Sequence, residues 1–200
     1  MNTQTLLSIV ADQREELLAN DYSELCPRPE ESQLDLKSNR AQVVIGVRRC
    51  GKSTLCEMFL KQKGIDFAYV NFDDDRMEDM KASDLDHLLE ALYMTYGEFK
   101  YLFLDEIQNI EGWPLFVNRL LRQKMHLFIT GSNSKLLSKE LSTHLTGRNN
   151  KVELYPFSYS EYCAMKNIDT TSLSTKAKGI RKSTLHEYLL QGGFPELYNE

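Results

Sequence analysis

The segment QVVIGVRRCGKSTL constrains the fold more than any other part of this chain. Gly46 through Ser53 fit the pattern GxxxxGK[ST] without a mismatch, an apolar run precedes them, and an amphipathic run, TLCEMFLKQ, follows. Strand before and helix after is the context that gives the pattern its meaning. A glycine-containing turn held between a buried strand and a helix N-terminus commits the chain to α/β architecture, because a buried parallel strand must be followed by a crossover helix.

The rest of the sequence repeats that alternation. FAYVNF at 67–72 precedes LDHLLEALYMTYG, KYLFLD at 100–105 precedes WPLFVNRLLRQ, and MHLFITG at 125–131 precedes SKLLSKELSTHL. Short, nearly continuous apolar runs alternating with helical patterns predict a parallel sheet covered on both faces. Residues 3–19 predict a leading helix, and Cys26-Pro27-Arg28-Pro29-Glu30-Glu31 has connector composition. Lys151–Leu154 adds a strand, and Ser158–Met165 a short helix capped by Ser158 or Ser160. Residues 169–183 are polar and weakly patterned, and read as a loop or lid. Residues 1–155 are thus expected to form the core with its leading helix. Residues 156–200 read as a helical extension toward a further C-terminal domain, with LHEYLLQGGFPELYNE carrying a helix signal before Gly192-Gly193 and Pro195 and reading as the start of something longer.

Composition excludes some classes of function. With 24 Lys and Arg against 29 Asp and Glu, the formal charge of -5 argues against a purely electrostatic nucleic-acid binder. No segment approaches the ~20 apolar residues of a membrane span, so no membrane partner is expected. The acid-bearing N-terminus does not read as a secretory signal. The four cysteines show neither CxxC nor a histidine at ligand spacing, which points to free thiols and a cytoplasmic location.

The chemistry expected of the 46–53 loop follows from the charge of a phosphate chain, which calls for several inward backbone N–H groups and little side-chain obstruction. Gly46, Arg48, Arg49, Cys50, Gly51, Lys52, Ser53 and Thr54 are the nucleotide-binding candidates. Lys52 supplies a point charge, Ser53 a hydroxyl for Mg2+, and Thr54 the opening of the following helix. Only a few loop positions can face a ligand, so at least one of Arg48 and Arg49 is expected to point outward. Asp105 closes its apolar run at the carboxyl end of the sheet, where it is expected to hold the metal with Ser53. One residue on, Glu106 is placed to orient or deprotonate an attacking water. FITGSNSK offers Thr130, Ser132 or Asn133 as a side chain facing the terminal phosphate, Asn133 being preferred. Arg148, in LTGRNN, reads equally as a surface arginine or as a guanidinium for the transition state, delivered within one subunit or across an interface. The catalytic candidates are therefore Lys52, Glu106, Asn133 and Arg148. Asp73-Asp74-Asp75 reads as a solvated connector, Trp113 as a packing anchor, and the four histidines as dispersed.

GVRRCGKSTL, YLFLDEIQNIEGW, LFITGSNSKLLSKELSTHLTGR, ELYPFSYSEY and LLQGGFPE, in this order, resemble the prokaryotic AAA-type ATPase family in which an AAA_14 P-loop domain precedes a DUF4143-type region. The resemblance covers roughly residues 10–198, and its motifs together are far more specific than the loop alone. It implies Walker A at Gly46, Gly51, Lys52 and Ser53, and Walker B at Asp105 and Glu106. Gln108 matches the family's DEIQ glutamine, Ser132 or Asn133 its polar sensor region, and Arg148 the arginine of its LxGR stretch. Cys50 departs mildly from the family's small or aliphatic residue. The resemblance further implies a sheet ordered 5-1-4-3-2, ATP as the nucleotide, and a chain that is the N-terminal part of a longer protein.

Three functions compete at this stage. The first is Mg2+-dependent ATP hydrolysis that changes the pose of a C-terminal module. The second is a nucleotide-gated module that contacts protein or DNA and barely hydrolyses, motivated by Arg48, Arg49 and the polar stretch 169–183. The third, a small-molecule kinase, ranks last because no acceptor pocket or lid arginine cluster is readable. Oligomeric assembly is compatible with all three.

Overall fold

Five strands form where the apolar runs stand: β1 (Ala41–Gly46), β2 (Phe67–Asn71), β3 (Tyr101–Asp105), β4 (His126–Gly131) and β5 (Asn149–Leu154). In this computed structural model, which describes residues 1–22, 25–132 and 143–198, all the strand pairings are parallel and the order is β2-β3-β4-β1-β5. That is the expected 5-1-4-3-2 order read from the other edge. The chain is an α/β P-loop NTPase fold.

Alternate residues of each strand serve opposite layers. Val43, Ile45, Ala68, Val70, Leu102, Leu104, Leu127 and Ile129 share a core with helices α1 (Thr3–Ala19), α3 (Leu85–Tyr96) and α4 (Trp113–Arg122). Val44, Phe67, Tyr69, Phe103, Phe128 and Val152 pack with Leu55, Cys56, Phe59 and Leu60 of α2 (Lys52–Gln62). Trp113 is fully buried in the first core, as a packing anchor should be.

Beyond β5, Ser158 caps α5 (Tyr159–Met165) through a capping box with Glu161. The expected loop at 169–183 is corrected in part: α6 (Thr175–Gln191) begins within it, capped by the Ser174 side chain. Only Thr184 of that helix is buried, so no apolar stripe marked its first part, while its last part is the helix expected in LHEYLLQ. Among the described residues no helix is long and apolar enough to cross a membrane.

Candidate functional site

Parallel pairing brings the carboxyl ends of the strands to one lip of the sheet. There Ile45 stands beside Gly131 and Asn71 beside Asp105. From this lip the chain leaves β1 through residues 47–51, with Arg49 at φ +66° and Gly51 at φ +92°, and enters α2 at Lys52. Those left-handed residues turn the loop sharply enough to lay its backbone across the helix N-terminus. The two separate motifs of the sequence meet at this point. Ser53 Oγ donates to Asp105 Oδ1 at 2.9 Å, and Lys52 Nζ lies 3.2 Å from Glu106 Oε1 and 3.2 Å from the Val47 carbonyl oxygen.

Asp105 is buried and saturated. Its Oδ1 also accepts from the Thr130 hydroxyl, and Oδ2 accepts from Tyr69 Oη at 3.3 Å. Burial pushes its carboxyl above the ordinary range, against the Thr130 and Ser53 hydroxyls that favour the charged form. Glu106 has φ +53°, a conformation a non-glycine residue rarely adopts. It is held there because its N–H donates to Thr130 Oγ1 at 3.0 Å and its Oε2 accepts from Ser132 N–H at 2.8 Å and from the Gln108 amide. Burial would raise the Glu106 carboxyl, but the Gln108 amide, the Lys52 ammonium and Ser132 outweigh it and hold it below its ordinary value. Glu106 is therefore an ionised, oriented acceptor.

The cleft above these groups is lined by Arg49, Gly51, Lys52, Ser53, Thr54 and Glu106, together with Pro195 and Glu196. An apolar pocket shares Gly51, Thr54 and Pro195 with it and continues toward Leu25, Met58 and Phe157.

The remaining candidates are placed differently. Gly46 does not line the cleft: a Cβ there would stand 2.2 Å from the Leu154 carbonyl oxygen. The Cys50 thiol turns inward toward that same oxygen, at 3.5 Å. Arg48 points outward and pairs with Asp73 at 2.6 Å. The Thr130 hydroxyl donates to Asp105 Oδ1 and accepts from the Glu106 N–H, and Asn133 lies outside the described residues. Arg148 is not brought to the site within this chain. Its carbonyl accepts from Ala41 N–H at the opposite end of β1, about 16 Å of strand away from the loop, and its guanidinium donates to Asn118 Oδ1.

Four residues were missed. Tyr69 is buried in a strand, where its hydroxyl is indistinguishable in sequence from core filling. Pro195 and Glu196 reach the cleft from the far end of the chain, in a stretch that the sequence marks only as the start of something longer. Arg28, within the supposed connector, is buried and donates to Glu161 Oε1 at 2.7 Å, the Tyr155 carbonyl at 2.6 Å and the Cys50 carbonyl at 3.3 Å, while stacking over Phe157.

A family model described as an AAA domain matches residues 38–163, the stretch that holds the loop, both acids and all five strands. The chain belongs to that AAA family. Uncharacterized proteins of Methanocaldococcus jannaschii and Haemophilus influenzae are 40% and 37% identical to it over 167 and 164 residues. Those matches cover 82% and 78% of this chain but only 38% and 40% of the relatives' own lengths. Among solved structures, this AAA protein is similar to the Aeropyrum pernix ORC2 protein in ADPNP–ADP complexes, with 14% identity and TM-score 0.49 over 82% of this chain and 50% of that one. For C. elegans PCH-2 the values are 12% and 0.45 over 95% and 51%.

Proposed function

We propose that this AAA protein binds ATP with Mg2+ and hydrolyses it, and that turnover moves the C-terminal part of the protein. The observation that carries the reading is the convergence of Lys52, Ser53, Asp105 and Glu106 on one cleft, through the contacts Ser53–Asp105 and Lys52–Glu106. A hydroxyl beside a carboxylate is a hard-oxygen pair suited to Mg2+, which characteristically takes few protein ligands and completes its shell with water and phosphate. When bound there, the metal would neutralise charge on the phosphate chain. Lys52 would exchange the Val47 carbonyl and Glu106 for phosphate oxygens, and Gly51 and Thr54 would carry the chain toward the apolar pocket, where the base would lie. Glu106, freed from Lys52 and still held by Ser132 and Gln108, would orient the attacking water and draw its proton.

Arg148 takes no part in this reading within one chain; only a nucleotide held by another copy could meet it. The alternative, a nucleotide-gated protein- or DNA-binding module with little hydrolysis, drew on Arg48 and Arg49, each of which forms an exposed pair with a carboxylate of the chain. The test is phosphate release with Mg2+ and ATP. We expect Glu106→Gln to bind ATP at least as tightly as the wild type and to turn over about 100-fold or more slowly. Equal turnover of the two proteins would remove Glu106 from its role.

A further inference from the structure

Two cations line the cleft, and each is held by a carboxylate of the chain itself. Lys52 pairs with Glu106, and Arg49 Nη1 lies 3.2 Å from Glu196 Oε2. The two carboxylates are mounted very differently. Glu106 is tied to β4 through Thr130 and Ser132. Glu196 rides on a short 3-10 turn, Pro195–Tyr198, and its pair with Arg49 is more than half exposed on both sides.

Just upstream, the chain is fixed. Phe157 N–H donates to the Gly193 carbonyl at 2.6 Å, and Tyr188 Oη donates to the Phe157 carbonyl at 2.8 Å. A Cβ on Gly193 would stand 2.2 Å from the Phe157 oxygen. Gly192, at φ +86°, makes the bend before it. A firm anchor at Gly193 therefore carries Pro195, which lies over Gly51, and Glu196, held through the exposed pair. Beyond them Tyr198 is tied down by its hydroxyl's bond to the Gly192 carbonyl and by its ring against Tyr162.

Resting on the nucleotide reading above, we infer that Glu196 is a resident counter-ion which a polyphosphate displaces from Arg49, so that Pro195 and Glu196 lift off the loop when the cleft fills. A guanidinium binds phosphate in charge-assisted, bidentate fashion, whereas an exposed ion pair is weak and easily exchanged. A carboxylate left beside several phosphate charges is also repelled. Occupancy of the cleft thus becomes displacement of residues 195–196, and Arg49, not Lys52, reports it to the C-terminal end.

The experiment measures ATP affinity with Mg2+ by titration calorimetry for the wild type, Glu196→Gln, Arg49→Gln and the double variant. Amide exchange at Leu197, whose N–H bonds the Phe194 carbonyl, is followed with and without ATP. Glu196→Gln is expected to bind ATP roughly two- to five-fold tighter, with no such gain on the Arg49→Gln background. In the wild type, ATP should speed exchange at Leu197. Unchanged or weaker binding by Glu196→Gln, or greater protection of Leu197 with ATP, would overturn the latch while leaving nucleotide binding intact. A wild type that binds no ATP would overturn both readings.

Discussion

At Gly46 an added methyl group would meet the Leu154 carbonyl oxygen at 2.2 Å and Cys50 Sγ at 2.8 Å, so the first glycine of the loop is demanded by β5 rather than by a ligand. Gly46→Ala is accordingly expected to cost about 1–3 kcal/mol of stability in the absence of nucleotide, read by urea denaturation, because backbone atoms cannot yield as a flexible side chain does. Unaltered stability would return Gly46 to a purely ligand-facing role. Single residues differ in how openly the sequence declares their work. Lys52, Ser53, Asp105 and Glu106 were legible because fixed spacing and fixed flanks tie residue type to position. Tyr69 and Arg28 were not, since their partners Asp105, Glu161 and Tyr155 are distant in sequence and only the folded chain supplies them. Arg148 illustrates the converse: a suggestive local motif says nothing about which end of a strand it will occupy.

The strands were legible as elements because burial on both faces writes a near-continuous apolar run, and the parallel sheet followed from the helices between those runs. The second part of helix α6 carried a helix signal in LHEYLLQ, but its first part escaped because its surface is almost entirely solvated and Gly179 interrupts that stretch. The connector hid a different feature. Arg28 joins the segment before β1 to the loop, to the end of β5 and to α5, and its ion pair with Glu161 is nearly buried, with side-chain exposures of 6% and 13%. Removing one member of such a pair strands the other. Arg28→Ala should cost about 3–5 kcal/mol in chemical denaturation, and Arg28→Ala/Glu161→Ala should recover part of that loss. An additive double variant would mean that the two side chains do not act as a unit.

At the scale of the whole molecule, stability should carry a signature of the buried acid behind the loop. Burial, with the Asp105 carboxyl nearby, pushes Glu57 of α2 up to about 7 from 4.5, against the Asn20 side chain and Lys61. The folded state thus holds this proton more tightly than the unfolded chain does. Its contribution is fully present below about pH 4.5 and is lost as pH rises through about 7, a change on the order of 3 kcal/mol. Glu57→Gln is therefore expected to be more stable than the wild type by about 1–3 kcal/mol at pH 8 and to lose that advantage by pH 5, as thermal denaturation at both pH values would reveal. A difference independent of pH would contradict the assignment. The same view of the molecule bears on Arg28. Four stretches of chain hang on one guanidinium near the mouth of the cleft, so damage at this position would imitate a defect of ligand recognition. A screen scored by activity alone would file it among the contact residues, although what failed was the frame that gives the mouth its shape.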